Sequence, residues 1–198
     1  MIYYNHFVMS APAGLIYVND VITETLHNEL VTYLMDPARV WTKGPNPNDG
    51  GRLVQQFGYY YDYASRSVNK STPTTPIPQI LETLNKELIE KKILTDIHNQ
   101  IIVNFYQPGQ GITAHRDHTK IFGNEIATIS LGSTIPMIFR SDEKSYEQPL
   151  KPCSIAVLTG DARWIWTHEI PARKTDIING KKINRSNRMS ITYRSVMS

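Results

Sequence analysis

The sequence predicts a mainly β protein with flanking helices, its strands closed as an antiparallel barrel or sandwich. Three features carry this. A chain of 198 residues with 40% apolar and 20% charged residues is sized and composed for one core. Helical periodicity is confined to the first half. From His98 onward the pattern changes to short apolar or alternating runs separated by Gly, Pro, Asn and Asp.

The elements follow in order. "MIYYNHFVMS" lacks a basic segment leading into an apolar one, and no later run reaches membrane-spanning length. The expectation is an intracellular protein, cytoplasmic or nuclear, with no membrane partner. Asn19 or Asp20 is placed to cap a helix carrying Ile22, Leu26, Leu30 and Leu34 one turn apart and ending before Asp36-Pro37. "KGPNPNDGG" (Lys43 to Gly51) and "STPTTPIP" (Ser71 to Pro78) read as loops. The second leads into a helix with Ile80, Leu81, Leu84, Leu88 and Ile89 on one side. The strand candidates are "IIVNFY", "GITAHRD", "IATISLGS", "PMIFRS", "SIAVLTG", "RWIWTHEI" and "RMSITYRSV". One domain over 1-198 is expected, with 1-97 holding the helices and 98-198 the strand-built core.

Charge and cysteine narrow the chemistry. A net charge of +3 does not by itself mark a nucleic-acid binder, so the placement of charge matters more than its sum. The lone Cys153 excludes an internal disulfide and a finger-type zinc, leaving His and carboxylates for any metal. In an extended "GITAHRD", His115 and Asp117 share a face while Arg116 points away. "RWIWTHEI" offers His168, read as sharing a face with Trp164 and Trp166. Two imidazoles and one carboxylate leave three positions of an octahedral ion open, the facial arrangement of non-haem Fe(II) oxygenases. Against this stands the common case of a histidine hydrogen-bonded in a core.

The C-terminal strand weighs on the metal side. "RMSITYR" puts Arg188, Ser190, Thr192 and Arg194 on one face and Met189, Ile191 and Tyr193 on the other. Two guanidiniums inside a barrel need an anionic partner, and that strand contains no acid. A small dicarboxylate that chelates iron fits, because the guanidinium fork binds carboxylates bidentately. Asn104 and Tyr106 share one face of "IIVNFY", either as further ligand contacts or as a satisfied strand pair.

Together "NFYQPGQGITAHRDH", "TISLGS", "LTGDARWIWTHEIPARK" and "NRMSITYR" resemble, in order and spacing, the AlkB family of Fe(II)/2-oxoglutarate-dependent dioxygenases. The resemblance runs from about Gly14 to the end and implies a double-stranded β-helix (jelly roll) with the N-terminal helices outside. It implies that His115, Asp117 and His168 hold Fe(II) and perform the chemistry with 2-oxoglutarate as cosubstrate. The far carboxylate of the cosubstrate meets Arg188 and Tyr106, with Asn104 assisting. Arg194 supports the metal end, and Ser190 stands where relatives often carry Asn. The residues before 98 then supply helices and a nucleotide-recognition lid, and 98-198 the catalytic core.

Within the family the chain is most similar to the branch containing the eukaryotic tRNA wobble-uridine hydroxylase, sharing "FGY", "SLGS" and the segment around His168. It carries that core without an RNA-recognition, methyltransferase or cysteine-rich zinc segment. His118-Thr119-Lys120 stands where the bacterial repair enzyme has acids. The reading that results is oxidation of an alkylated or modified nucleobase, as oxidative demethylation of RNA or single-stranded DNA, by a monomer whose partner is nucleic acid. The alternatives are hydroxylation of a wobble-uridine side chain, hydroxylation of a protein side chain, a non-catalytic jelly-roll binding module and a zinc hydrolase. Two features favour nucleic acid. Arg173, Lys174, Lys181, Lys182 and Arg185 form a basic loop between His168 and Arg188. In "QQFGYYYDY", Phe57, Tyr59, Tyr61 and Tyr63 alternate as an aromatic face suited to stacking a base. Tyr59, Tyr61, Arg116 and Trp166 are the expected substrate contacts.

Overall fold

The computed structural model describes residues 10–69, 71, 75–142 and 144–197. Most of the N-terminal decapeptide and residues 72–74 of the second loop lie outside them. In chain order the elements are β1 (Leu15–Val18), α1 (Glu24–Leu34), β2 (Thr42–Lys43), β3 (Leu53–Gly58), β4 (Tyr61–Asp62), β5 (Ser67–Val68) and α2 (Gln79–Glu90). There follow β6 (Gln100–Tyr106), β7 (Ile112–His115), β8 (Phe122–Gly132), β9 (Ile135–Ser141), β10 (Lys144–Leu150) and β11 (Ile155–Leu158). The chain closes with α3 (Gly160–Trp164), β12 (Thr167–Ile170), β13 (Thr175–Ile178), β14 (Lys181–Asn184) and β15 (Arg188–Val196).

A seven-stranded sheet runs β1-β11-β8-β15-β6-β3-β2 and a four-stranded sheet β10-β9-β12-β7. Period-two alternation gives the large sheet two apolar faces. On one, Ile101, Val103, Ile129 and Ile191 pack with Leu30 and Leu34 of α1 and Leu81, Leu84 and Leu88 of α2. On the other, Ile102, Ile126 and Ala156 meet Met137, Phe139 and Ile170 of the small sheet. The helices therefore cover one face while the other packs on a second sheet, and the space between the sheets is where β15 turns its polar side chains.

Several details differ from the expectation. Helix α1 is capped by Thr23, whose hydroxyl accepts the Leu26 amide at 3.2 Å, rather than by Asn19 or Asp20. Asp20 instead has φ of 51° in the preceding bend, and Ile22 is buried ahead of the helix. Strand pairing also crosses residue 97, because β1, β2 and β3 all belong to the large sheet. "RWIWTHEI" is not one strand. Arg163 and Trp164 end α3, and the Ile165 and Trp166 amides both bond to the Asp161 carbonyl, so the chain extends only from Thr167. The basic loop is a hairpin, β13–β14, turned by Asn179-Gly180 with φ of 51° and 75°.

The aromatic run breaks at Gly58. There φ is +74°, and a Cβ would lie 2.1 Å from the Asn99 carbonyl oxygen. The backbone swings out of the sheet, so Phe57 enters the helix-side core while Tyr59, Tyr61 and Tyr63 pack on the other side. Gly58→Ala meets both the steric block and the left-handed backbone. The expected result in urea unfolding is a loss of more than about 1 kcal/mol; unchanged stability refutes this account of the turn.

Candidate metal and cosubstrate site

The ligand atoms of His115, Asp117 and His168 lie within 4.8 Å of one another. Strand pairing creates this proximity, since His168 on β12 is the register partner of His115 on β7 and the two rings stand 4.4 Å apart. Strand β7 ends at His115, so Asp117 reaches the pair from the turn that follows. That turn is held by Arg163, which is 2% exposed. Its guanidinium donates to the carbonyls of Asp117, Phe122 and Gly123 at 3.0–3.1 Å and to that of His118 at 3.4 Å.

Protonation suits the cluster to a cation. The Thr113 carbonyl sits 2.8 Å from His115 Nδ1, and a carbonyl only accepts. Nδ1 therefore carries a proton, which leaves Nε2 as the nitrogen for a metal. Burial, aided by neighbouring His115 and opposed by Asp117, pushes the His168 imidazole down to about 3, so it is neutral. Burial raises the Asp117 carboxyl, but the opposing positive groups, led by Arg194, outweigh it and hold it at about 2. Arg194 Nη1 donates to Asp117 Oδ1 at 2.8 Å. Two imidazoles, that of His168 neutral, and one ionised carboxylate make a donor set for a divalent cation with positions left over for other ligands.

Beside the cluster, Asn104, Tyr106, Arg188, Ser190 and Arg194 line one small cavity together with the three cluster residues. Its end is cationic and unsatisfied. Arg188 is 1% exposed and donates to Ser130 Oγ at 3.0 Å, while its Nε and Nη1 have no partner. Among the described residues no ion pair reaches it. Burial brings its pKa down to about 10, with Tyr106 acting against and Arg185 with that shift. At that value the group is still charged at neutral pH, and a buried guanidinium with two open donors calls for a carboxylate ligand. The residues thus fit a dicarboxylate that reaches from Arg188 towards a metal held by the cluster.

A wider opening of about 440 Å³ adjoins this cavity, sharing His115, Asp117, Asn104, Ile112 and Arg194. Its size is in the range of small-ligand sites. Tyr61 and Arg116 line it, and Arg116 Nη1 also donates to the Trp164 carbonyl at 3.0 Å. Tyr59 and Trp166 line neither cavity. Trp166 is 8% exposed within the second core cluster and Tyr59 packs against that cluster, because the α3 turn and the Gly58 bend redirect each chain segment. The basic loop is likewise less free than its composition suggests. Asp176 engages both Arg173 and Arg185 at 2.6 Å, leaving Lys174, Lys181 and Lys182 as its unengaged cations among the described residues.

Tyr63 is placed by the sequence in the aromatic face, but Arg66, Asp49, Arg52, Ser130 and Arg163 escaped the sequence reading. Tyr63 and Arg66 line the opening, and Asp49 and Arg52 are a buried ion pair on its wall. Ser130, the partner of Arg188, could have been found, since it alternates with Thr128 on β8 opposite Ser190 and Thr192. Arg52 and Asp49 gave no signal, because a turn-rich "NDGGR" reads as solvated loop.

Comparison with known proteins follows the same lines. The family model described as the 2OG-Fe(II) oxygenase superfamily matches residues 14–194. "Uncharacterized protein L905" of Acanthamoeba polyphaga mimivirus is 43% identical over 124 residues, covering 61% of this chain and 59% of that one. The tRNA (carboxymethyluridine(34)-5-O)-methyltransferase ALKBH8 of Mus musculus is 31% identical over 178 residues, 86% of this chain but 26% of the relative. RNA demethylase ALKBH9B of Arabidopsis thaliana is 30% identical over 173 residues, 79% of this chain and 31% of the relative. The chain thus spans 26% to 59% of the length of these relatives. In fold it is similar to the solved structure of OsALKBH1, with a TM-score of 0.69 at 18% identity over 94% of this chain and 98% of the other.

Proposed function

The chain belongs to the 2OG-Fe(II) oxygenase superfamily, as an AlkB-like member, and from that premise we propose that it acts as one oxygenase domain that oxidises an alkylated or modified nucleobase in RNA or single-stranded DNA. The observation that carries the reading is Arg188, a buried guanidinium with two open donors, in the same cavity as the His115–Asp117–His168 cluster. Fe(II) would be held by those three residues, and 2-oxoglutarate would set its far carboxylate on Arg188 beside Tyr106.

When bound, Fe(II) and 2-oxoglutarate supply the oxidising power: the cosubstrate loses carbon dioxide to become succinate, and one oxygen atom of dioxygen is inserted into a substrate C–H bond. The chain's own residues orient and neutralise. Thr113 fixes the His115 tautomer, Arg194 keeps Asp117 ionised, and Arg163 sets the backbone that carries Asp117. Tyr61 and Tyr63, whose rings meet edge to face at 5.1 Å, present aromatic surface at the opening, and Arg66 and Arg116 bring positive charge to its wall. Such an opening suits an extruded base and its phosphates. A hydroxylated N-methyl group falls off as formaldehyde, whereas a hydroxyl on a carbon-linked side chain stays.

The second outcome, hydroxylation of a tRNA wobble-uridine side chain, is favoured by the 86% of this chain that aligns with ALKBH8. One assay separates the readings. The protein with Fe(II) and 2-oxoglutarate is offered N-methylated RNA and DNA oligonucleotides, tRNA carrying a carboxymethylated uridine, or peptides, followed by mass spectrometry and succinate measurement. Loss of a methylene supports demethylation, and gain of one oxygen supports the wobble reading. Succinate formed only with peptides overturns both. No succinate and no oxygen consumption with any probe points to a binding module or hydrolase.

A further inference from the structure

The loop ahead of β3 is tied to both halves of the site. Arg52, 3% exposed, donates from Nε to Asn104 Oδ1 at 3.0 Å and from Nη1 to Asp49, itself 2% exposed. Asp49 Oδ1 accepts the Thr113 amide at 2.8 Å, and the Asp49 carbonyl accepts the Gly111 amide at 3.0 Å. The Thr113 carbonyl in turn accepts His115 Nδ1–H at 2.8 Å. Asn46 adds a bond to Thr113 Oγ1 at 2.9 Å. The result is one unbroken path, Asn104 to Arg52 to Asp49 to Thr113 to His115.

Its two ends have different duties. His115 belongs to the metal cluster, and Asn104 lines both the small cavity and the opening. We propose that the Asp49–Arg52 pair is a positioning unit that sets the His115 ring and the Asn104 amide together, linking metal affinity to cosubstrate affinity from the wall of the substrate opening. The inference rests on the oxygenase reading above.

The physical case is one of alternatives. A buried ion pair contributes little net stability, and a loop could be anchored with apolar residues at no greater cost. What an apolar anchor lacks is direction. The carboxylate pins Thr113 by its N–H, one residue's φ and ψ away from the Thr113 carbonyl that orients His115, and Arg52 Nε holds Asn104 by its oxygen so that its NH2 is the group left free. Asp49 and Arg52 also face the opening, so a base seated there presses on the pair.

The test separates the two arms of the path. Cobalt(II) is titrated into the apo protein by its visible absorption, and the KM for 2-oxoglutarate is taken from succinate release. Arg52→Lys preserves a cation for Asp49 but not the fork that also reaches Asn104. It is expected to keep cobalt affinity within about twofold of wild type while raising the 2-oxoglutarate KM about tenfold or more. Asp49→Ala frees the Thr113 N–H, loosens the residue whose carbonyl holds His115, and is expected to weaken cobalt about tenfold or more as well. If both variants melt earlier yet bind cobalt and 2-oxoglutarate as wild type does, the pair is merely structural and the proposal fails. Wild-type protein that neither binds cobalt nor releases succinate sinks the oxygenase reading instead. Should the variants not fold, hydrogen–deuterium exchange on wild type decides. Cobalt with 2-oxoglutarate is expected to protect residues 46–52 along with 111–117, and protection confined to the latter overturns the proposal.

Discussion

Arg188→Met gives a protein that is more stable than wild type when ligand-free and unable to use 2-oxoglutarate at ordinary concentrations. Both halves have one cause. Arg188 is fully buried, with Ser130 as its hydrogen-bond partner and two donor nitrogens idle. Keeping a cation there costs free energy that the apo fold does not recover, and apolar replacement of incompletely compensated buried charge stabilises by about 1–4 kcal/mol. Ser130 loses its partner, which returns about 1 kcal/mol of that gain. Urea unfolding reads the net, and the expected sign is stabilisation.

The binding half is larger. Removing one partner of a buried charge-assisted pair costs about 2–5 kcal/mol, so the 2-oxoglutarate KM should rise by roughly one and a half to three and a half orders of magnitude. The 2-oxoglutarate-dependent rise in Tm should vanish with it. Arg188→Lys keeps the charge without the fork and should fall between. A destabilised Arg188→Met that retains its thermal response to 2-oxoglutarate would show that Arg188 serves the fold and not a ligand.

Arg188 was legible in the sequence because of where it sits. In a nine-residue strand, strict alternation sends four polar side chains to one face, and the absence of an acid among them already asks for an outside anion. The runs from His98 onward were legible for the same reason. Less so were strands whose burial is set by neighbours. Polar β10, "KSYEQPL", pairs along β9 at the edge of the small sheet with mostly exposed or half-exposed residues, so it lacks an apolar face to read. Arg163 marks a further limit. "RWIW" has strong strand propensity, yet the chain turns there as a short helix, with the arginine's donors gathered on backbone carbonyls far away in sequence. Side chain to backbone bonds over such separations leave no spacing rule. The Asp49–Arg52 pair is invisible for a similar reason, since its partners come from β6 and β7.

The second large effect is expected at the cluster itself, where two residues with the same proposed role towards iron part company towards the fold. Asp117→Ala and His168→Ala should each abolish cobalt binding and lower succinate release by more than about a thousandfold, the scale expected when a catalytic unit loses a member. In the apo protein, Asp117→Ala strands Arg194, whose Nη1 it accepts at 2.8 Å and whose Nε is already without a partner. Breaking a buried pair in this way costs about 3–5 kcal/mol. His168→Ala removes an imidazole that burial already holds neutral, at about 3, so no charge is orphaned and the loss is smaller. The acid side tells them apart again. Because the His168 pKa is lowered on folding, the unfolded chain binds its proton first, and apo stability falls as pH drops from about 6.5 towards about 3. That slope, about 1.4 kcal/mol per pH unit, should disappear from His168→Ala and persist in Asp117→Ala. Equal slopes in the two variants would mean that His168 is not held neutral beside Asp117, and that the donor set described above is charged wrongly for a metal.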